Sequence, residues 1–387
     1  MPEDKSGFHI VLSYGDIFRQ SGYRTKVVGE LLEYERHGKL QPFLIAFDRD
    51  ATRLGEVDLG GVQFRAHQRS AVLQYYRDLA SLAQRAPIRI VHAHNLYSGA
   101  LALSARRFYG YKVLVEIHGR IPEEYVILGK GGQLSYWLLK RLEAYVMRGA
   151  NHIIPISYRL KDYLSAQYQL NPGKLTVIPD CADPSIFRWD PILRETMRRK
   201  LGFEDKFVCV HLGSFFIWYD PELIIKTFQS VRQRVAAAHL LVVTEEVSRT
   251  RDFLSRYLAG DLFSVKSAPH AEVPPLLAAS DLGFLLLRST PNIEVSSPAK
   301  FSEYLNSGLP VLISPKVGDF SALVENFKTG AIVSDEGDFD LEFVAAVVHN
   351  RHDIAVRTMA AGRQLTWDAF RSEWSNIIEN LVTSPPS

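Results

Sequence analysis

The feature that most constrains the fold is a regular alternation of short apolar runs with amphipathic stretches along nearly the whole chain. Strands are predicted at Phe8–Ser13, Pro42–Phe47 and Ile88–Ala93, and a last one at Leu175–Pro179 closes the first half. Amphipathic helices such as Gly22–His37 separate them. Continuous apolar strands separated by helices are typical of a parallel sheet that is covered on both faces. We therefore predict an α/β protein.

The same alternation starts again at Phe207–Leu212, after an Asp- and Pro-rich stretch, and the chain ends in a helix around Trp367–Leu381. A chain of 387 residues suits two domains. We predict two Rossmann-like, doubly wound domains at 1–185 and 186–365. Right-handed crossovers would place the carboxyl ends of both sheets on a central cleft, where ligands bind in such folds.

The stretch Glu294–Val311 reads as a helix whose first turn can hold an anion. Ser297 suits the N-cap and the proline after it suits the first helical position. Lys300 adds a positive charge to the helix start, and Gly308 suits the C-terminal stop. Glu303 lies three residues after Lys300, so the two share a face. The segment therefore indicates a phosphate and ribose site, with an ordinary amphipathic helix as the alternative.

Glycines follow the first strand and precede the first helix. Gly15 ends the strand, and Ser21 and Gly22 open the helix, so a ligand could approach this backbone closely. The dinucleotide fingerprint of spaced glycines is missing, so we do not expect a nicotinamide enzyme.

Three further strand ends carry polar residues. His118 follows the strand Lys112–Ile117 and could hydrogen-bond a sugar hydroxyl or a leaving group, with a structural histidine as the alternative. Gly213 and Ser214 end the first strand of the second half and offer backbone N–H donors. Arg288 ends another strand and is either a second phosphate partner or a solvated side chain.

Two patterns could in principle bind a metal ion. His92 and His94 lie at i and i+2 of a strand and would point to the same face, but no third ligand stands at a recognisable spacing. Asp48 and Asp50 form an Asp-x-Asp pair that also has no matching third ligand. We therefore do not expect a metal site at either pattern, and we expect no bound cofactor.

The aromatic and basic stretch Leu134–Arg148 contains Trp137 and Arg141. Such a helix could rest on a membrane interface. The alternative is a helix packed on the sheet.

Charge and cysteine content exclude several classes. The net charge of +2 argues against a nucleic-acid binder, while residues 1–185 carry 24 Lys and Arg against 18 Asp and Glu, which suits an acidic partner. Cys181 and Cys209 are too few for a disulfide framework. With an acidic start and no apolar run of about 18 residues, we expect a cytoplasmic protein, possibly at the inner membrane face.

Several of these segments together resemble retaining GT-B glycosyltransferases of the family 4 type. The segment Pro298–Val311 is similar to the family motif P-x-K-x-x-E-Y-L-x-x-G-x-P-V, and it is the most specific part. Supporting matches are Val91–Asn95, Val115–Gly119 and Leu175–Asp183. Trp367 looks like the tryptophan that opens a C-terminal helix crossing back to the first domain, here 366–387.

The resemblance implies roles for residues of this sequence. Glu303 would bind the ribose, and Lys300 with the helix start would bind the diphosphate. His118 would contact the transferred sugar, and the loop with Gly15, Ser21 and Gly22 would approach donor phosphate or acceptor. The remaining implied donor-binding residues are Ser296, Ser297, Gly213, Ser214, Arg288 and His270.

Two departures from the family pattern concern charged residues. The family signature has two glutamates separated by seven residues, which would require a glutamate at position 295 to pair with Glu303. This chain has Val295 there and carries Glu294 one residue earlier. We treat Glu294 as a candidate catalytic residue. The family often has Lys-Gly near position 219, where this chain has Tyr219 and Asp220, so Lys300 and Arg288 must supply the positive charge.

The resemblance thus implies a metal-independent, retaining hexosyltransferase that moves a sugar from a UDP- or GDP-linked donor to a glycan or lipid-linked acceptor. A role in cell-surface polysaccharide or lipopolysaccharide synthesis follows from the resemblance. Two alternatives stay open: an inactive nucleotide-sugar-binding scaffold, and a nucleotide-sugar epimerase on the same fold.

Overall fold

The structure of the protein is a computed structural model that describes residues 7–15, 22–49, 59 and 61–383. The chain forms two compact units. The first contains Met1–Pro179 together with Phe370–Ser387, and the second contains Asp180–Ala369.

The first unit is built on a six-stranded parallel sheet in the order β3-β2-β1-β4-β5-β6. Its strands are β1 (Phe8–Tyr14), β2 (Gln41–Asp48), β3 (Gln63–Gln68), β4 (Ile88–His94), β5 (Lys112–Ile117) and β6 (His152–Pro155). Its helices are α1 (Gly22–His37), α2 (Leu73–Ala83), α3 (Asn95–Tyr109), α4 (Ile121–Ile127), α5 (Gln133–Gly149), α6 (Tyr158–Tyr168) and α15 (Arg371–Thr383).

The second unit repeats this topology with a parallel sheet in the order β12-β11-β10-β7-β8-β9. Its strands are β7 (Phe207–Leu212), β8 (Ala238–Val243), β9 (Phe263–Lys266), β10 (Leu282–Leu285), β11 (Val311–Ile313) and β12 (Gly330–Ile332). Its helices are α7 (Pro191–Leu201), α8 (Pro221–Arg234), α9 (Val247–Leu254), α10 (Val273–Ala278), α11 (Ala299–Asn306), α12 (Phe320–Phe327), α13 (Leu341–His349) and α14 (Arg351–Gly362). Short 3-10 turns lie at Pro172–Lys174, His270–Glu272, Ile293–Val295, Arg363–Leu365 and Asp368–Phe370.

The predicted α/β class with two doubly wound, Rossmann-like units is confirmed. In each sheet the strand order reverses between the first and fourth strands, β1 and β4 in one unit and β7 and β10 in the other. The loops after these strands diverge, so each unit has a crevice at the carboxyl ends of its central strands.

Two sequence-based boundaries are wrong. The stretch Leu175–Pro179 forms no regular strand: it makes a single parallel bridge to Ile153, because Pro155 in the neighbouring strand has no N–H to donate. The last helix begins at Arg371 rather than near Trp367, after the 3-10 turn Asp368–Phe370.

The C-terminal helix α15 is part of the core of the first unit. The ring of Trp374 packs edge-on against Tyr34, with ring centroids 5.5 Å apart, and lies 5.6 Å from the ring of His92. Ile377 and Leu381 are buried in the same apolar cluster. The predicted return of this helix to the first unit therefore has a clear packing basis.

Helix α11 is fixed onto the second sheet by Tyr304. This tyrosine is fully buried, and its hydroxyl accepts a hydrogen bond of 3.0 Å from the N–H of Leu212 at the end of β7. Its ring lies so close to Gly283 in β10 that a Cβ there would stand 2.8 Å from the ring. The absence of a side chain at Gly283 lets α11 approach the sheet.

None of the described helices is both long and apolar enough to cross a bilayer.

Replacing Gly283 by alanine should lower the free energy of unfolding by about 1–3 kcal/mol, because the new methyl group overlaps the Tyr304 ring in a packed core. Urea unfolding followed by circular dichroism measures the change. Gly260→Ala is the matched control, since a Cβ at Gly260 meets no atom within 4 Å. Equal stability of the two variants would contradict the packing argument.

Candidate functional site

Two side chains of the second unit, Lys300 and Tyr219, approach Gly213, the residue that follows β7. Gly213 has a φ of +106°, a conformation that favours glycine. A Cβ at this position would lie 3.5 Å from Cε of Lys300 and 4.0 Å from the hydroxyl of Tyr219. The end of β7 and the first turn of α11 therefore form one polar crevice where the strand order of the sheet reverses.

The start of α11 differs from the prediction. Ser297 was predicted to cap the helix, but the helix begins at Ala299 and Pro298 occupies the N-cap without a side-chain bond. The hydroxyl of Ser297 instead accepts the N–H of Asp180 at 2.9 Å, and the Ser302 hydroxyl donates to the carbonyl of Asp180 at 2.5 Å. These two bonds fix the first turn from outside the helix.

The predicted end of α11 is confirmed. Gly308 has a φ of +67°, and the N–H of Leu309 donates to the carbonyl of Tyr304 at 2.9 Å, which closes the last turn.

Lys300 is half-buried in the first turn of α11. Its ammonium makes neither a hydrogen bond nor an ion pair with any residue that the structure describes. An unpaired lysine beside a helix N-terminus and a glycine is an arrangement that attracts an anion.

Glu303 lies one turn further along the same helix and is only 4 % exposed. Burial favours the neutral acid, but the imidazole of His270 and the charge of Lys300 outweigh it and hold the pKa of Glu303 below its usual value. The distance from His270 Nε2 to Glu303 Oε1 is 3.6 Å. Glu303 is therefore a carboxylate at neutral pH, able to accept hydrogen bonds from a pair of hydroxyls.

Tyr219 is a member of this crevice that the sequence reasoning did not assign. It is 6 % exposed, its ring meets His211 edge-on at 4.5 Å, and its hydroxyl makes no hydrogen bond within the described part of the chain. Burial and the charge of Glu303 raise the pKa of Tyr219, so the hydroxyl stays protonated and can donate. The sequence did offer one signal for a role of Tyr219, because the family that the chain resembles often has a lysine near this position.

The backbone N–H of Gly213 is already used within the sheet, whereas donation by the backbone N–H of Ser214 stays a prediction. The N–H of Gly213 donates to the carbonyl of Val243 at 2.9 Å, which extends the β7–β8 ladder. The hydroxyl of Ser214 donates to Glu246 Oε2 at 3.1 Å, and the same oxygen accepts the N–H of Phe215 at 2.9 Å. Gly213 therefore leaves open space beside Lys300. The side chain of Ser214 helps to hold the loop that follows β7.

The other predicted donor-site residues have local partners or stand apart. The hydroxyl of Ser296 donates to the carbonyl of Ile293 at 2.8 Å, and Nε of the exposed Arg288 donates to the carbonyl of Tyr219 at 2.9 Å. Glu294 lies half-buried in the 3-10 turn Ile293–Val295. Its carboxylate makes no hydrogen bond or ion pair with a described residue.

In the first unit, His118 lies directly after β5. Its Nε2 faces Nδ1 of His94 at 3.3 Å and Oε1 of Glu116 at 3.7 Å, and its backbone N–H donates to Asn95 Oδ1 at 3.3 Å. Burial lowers the pKa of His118 to about 4, against the opposing effect of Glu116 and with the help of the charge on Lys26. His118 is therefore neutral at pH 7.

A buried cluster of charged and histidine side chains, formed by Lys26, Glu30, His92, His94 and Glu116, lies behind His118. The two glutamates face the lysine with one oxygen, at 3.6 and 3.1 Å from Nζ. Their other oxygens face Nε2 of the two histidines, at 3.3 and 3.5 Å. This cluster holds the ends of β4 and β5 against α1.

Sequence reasoning found no third metal ligand near His92 and His94, and the structure supplies two. Glu30 and Glu116 bring four possible ligand atoms within 4.8 Å of one another. Such a donor set is compatible with zinc. However, Lys26 already places a cation 3.1 Å from Glu116. The cluster thus combines metal-type donors with a counter-ion from the chain itself.

Three predicted residues concern the loop after β1. Gly15 follows the strand directly, and α1 begins at Gly22. Ser21 lies outside the described residues. The same holds for Asp50 of the Asp-x-Asp pair, whereas Asp48 is buried at the end of β2.

Comparisons of sequence families cover most of the chain. The family described as "Glycosyl transferase 4-like domain" matches residues 11–181. The family described as "Glycosyl transferases group 1" matches residues 206–353. The chain belongs to the GT-B glycosyltransferases of the family 4, or group 1, type. No curated protein sequence matches it.

Solved structures share the fold of this glycosyltransferase at low identity. HepE from Anabaena, solved in complex with UDP, is 15% identical with a TM-score of 0.74, covering 96% of this chain and 99% of its own. Sucrose-phosphate synthase from Thermosynechococcus elongatus is 12% identical with a TM-score of 0.70, covering 96% and 99%. WaaG, a glycosyltransferase involved in lipopolysaccharide biosynthesis, is 16% identical with a TM-score of 0.65, covering 95% and 99%.

The buried neutral histidines of this glycosyltransferase predict a loss of stability in acid. His118 has a folded-state pKa of about 4 against 6.5 when exposed, so the unfolded chain binds more protons between these values. Its contribution, up to about 3 kcal/mol, is present above pH 6.5 and is lost as the pH falls towards 4.

Urea unfolding at several pH values between about 4 and 7 measures this dependence. His118→Gln should make the unfolding free energy less sensitive to pH in this window. His352→Gln, at an exposed position, serves as the control. An unchanged slope in His118→Gln would show that His118 does not titrate as argued.

Proposed function

We propose that this glycosyltransferase binds a nucleotide-sugar donor at the crevice around Gly213 and transfers the sugar to a glycan or lipid-linked acceptor. The observation that carries the proposal is the side chain of Lys300, whose Cε lies beside Gly213, one helical turn from the ionised Glu303. A cation and a carboxylate on one helix face match the two polar parts of a nucleoside diphosphate, its phosphates and its ribose.

In the proposed complex, Lys300 and the N-terminus of α11 contact the diphosphate, and the hydroxyl of Tyr219 donates a neutral hydrogen bond to it. Glu303 accepts hydrogen bonds from the ribose hydroxyls, with His270 keeping it ionised. The complexes of HepE with UDP and with UDP-glucose support this choice of ligand. We propose a UDP- or GDP-linked donor.

We propose that the transfer is metal-independent and retains the configuration of the sugar. The bond between the anomeric carbon and the diphosphate oxygen breaks, and the acceptor oxygen bonds to the same face of that carbon. The acceptor proton passes to the departing phosphate. Lys300 and Tyr219 stabilise the charge that grows on the diphosphate, which is the main electrostatic term in such a step.

The roles of the first unit are also proposals. His118, neutral and at a strand end, would hydrogen-bond a hydroxyl of the transferred sugar. In the second unit, we propose Glu294 as a candidate catalytic residue. The basic composition of residues 1–185 supports an acidic, phosphate- or lipid-linked acceptor, as in polysaccharide or lipopolysaccharide synthesis at the inner face of a membrane.

Lys300→Met and Glu303→Gln should each weaken donor binding or slow turnover by about tenfold or more, through loss of charge-assisted hydrogen bonds. Calorimetry with UDP- and GDP-linked sugars, together with an assay of released nucleotide, measures both effects. Lys226→Met and Glu325→Gln, at exposed positions of the same unit, are matched controls. Wild-type binding and turnover in Lys300→Met and Glu303→Gln would refute the donor site.

The same assays separate the alternatives. Tight donor binding without transfer to any of a panel of lipid-linked and glycan acceptors would favour an inactive scaffold. Isomerisation of the sugar without an acceptor would indicate an epimerase.

Tyr219→Phe should weaken binding of the free nucleoside diphosphate by about tenfold, because one hydrogen bond to a charged group is lost while the ring packing is kept. The salt dependence of binding should stay the same, since the lost donor is neutral, whereas Lys300→Met should reduce it. Calorimetric titration of UDP or GDP at two salt concentrations measures this, with Tyr257→Phe as control at an exposed position. Unchanged affinity in Tyr219→Phe would remove Tyr219 from the site.

A further inference from the structure

One segment of the first unit carries several of the exposed apolar side chains of this protein. Of the 17 large apolar side chains that are exposed in the described part of the chain, six lie between positions 126 and 145. They are Val126, Ile127, Leu134, Trp137, Leu138 and Tyr145. A cluster of this kind on a monomer marks an interaction surface.

Helix α5 has two distinct faces. Leu139, Val146 and Met147 are buried, and Val146 packs against α3 so closely that a Cβ at Gly99 would lie 2.6 Å from it. The opposite face is defined by Leu134, Trp137, Leu138, Arg141, Tyr145 and Arg148, all of them exposed. At 100° per residue these six positions fall within an arc of about 100°. One face of α5 is therefore packed within the first unit, as in the alternative of a structural helix, and the other face is exposed.

The charges on this outer face have one sign. Arg141 and Arg148 are exposed on it, and the guanidinium of Arg141 lies 4.5 Å from the centre of the Trp137 ring. The one acidic residue of α5, Glu143, is buried and paired with Lys140 at 2.6 Å. Lys130, in the turn between α4 and α5, is exposed as well. Leucine, tryptophan, tyrosine and arginine without an exposed acid are the side chains that suit an anionic membrane interface.

We propose that the outer face of α5, with the end of α4, rests on the surface of an anionic lipid bilayer. The apolar side chains enter the headgroup region, and Arg141, Arg148 and Lys130 contact the lipid phosphates. The inference deepens the proposed function, on which it rests for the lipid-linked acceptor. It identifies the surface by which a protein without a membrane-spanning helix among its described residues reaches such an acceptor.

Flotation of the full-length protein with vesicles tests the proposal. Binding is expected to vesicles of phosphatidylcholine with about one third phosphatidylglycerol, and much less binding to phosphatidylcholine alone. The triple variant Leu134→Gln, Trp137→Gln, Leu138→Gln should lower the partition coefficient at least about tenfold. Arg141→Gln with Arg148→Gln should lower it about tenfold and make the remainder less sensitive to salt.

Matched controls come from the second unit. Ile192→Gln, Tyr257→Gln and Val348→Gln remove three exposed apolar side chains there, and Arg199→Gln with Arg256→Gln removes two exposed arginines. These variants should float like the parent. Thermal unfolding with and without UDP, measured without vesicles, checks that each variant folds and separates a failure of the membrane surface from a failure of the donor site.

Tryptophan fluorescence gives an independent readout. Trp137 is the exposed one of the five tryptophans. Brominated lipids in the anionic vesicles should quench its emission, and Trp137→Phe should still float but lose this quenching. Equal flotation of the triple variant and the parent would overturn the proposal. So would self-association of the parent that the triple variant abolishes, without vesicle binding, because the face would then join two copies of the chain.

Discussion

The contact between Tyr304 and Gly283 is the constraint on which the candidate donor site depends. Because β10 has no side chain at Gly283, the Tyr304 ring packs closely against this strand and its hydroxyl reaches the N–H of Leu212. This sets the height and rotation of α11. Lys300 and Glu303, on the same helix, are thereby held at the end of β7. This is where the strand order reverses and where Gly213 leaves space for a ligand.

The two units share one topology but carry different arrangements of polar side chains at the ends of their strands. In the second unit the crevice keeps an unpaired cation, Lys300, and a carboxylate whose charge is maintained by His270. In the first unit Lys26 pairs with both Glu30 and Glu116 inside the fold, and His118 lies beside Glu116 as a neutral side chain. The first arrangement is suited to binding a charged ligand, and the second to positioning a group that hydrogen-bonds without charge.

Local signals predicted the framework well. The apolar runs gave the strands of both sheets to within a few residues, because a strand covered on both faces needs apolar side chains at successive positions. The end of α11 at Gly308 was also predictable, since the left-handed conformation selects glycine. The start of α11 was not predictable. Serine is a typical N-cap residue, but the hydroxyl of Ser297 bonds to Asp180, 117 residues away. Such a partner has no signature in the neighbouring sequence.

The sequence by itself determined the class of fold, the number of units and the family, because periodicity and motif spacing are local properties of the chain. Only the tertiary structure decided which side chains meet. It placed Tyr219 beside Lys300, gave His92 and His94 two glutamates and a lysine as partners, and left one face of α5 without a cover. These outcomes depend on how distant elements pack, and packing is set by the shapes of many side chains together. For that reason the sequence could indicate which polar residues follow the strands, but only the fold could show which side chains they contact.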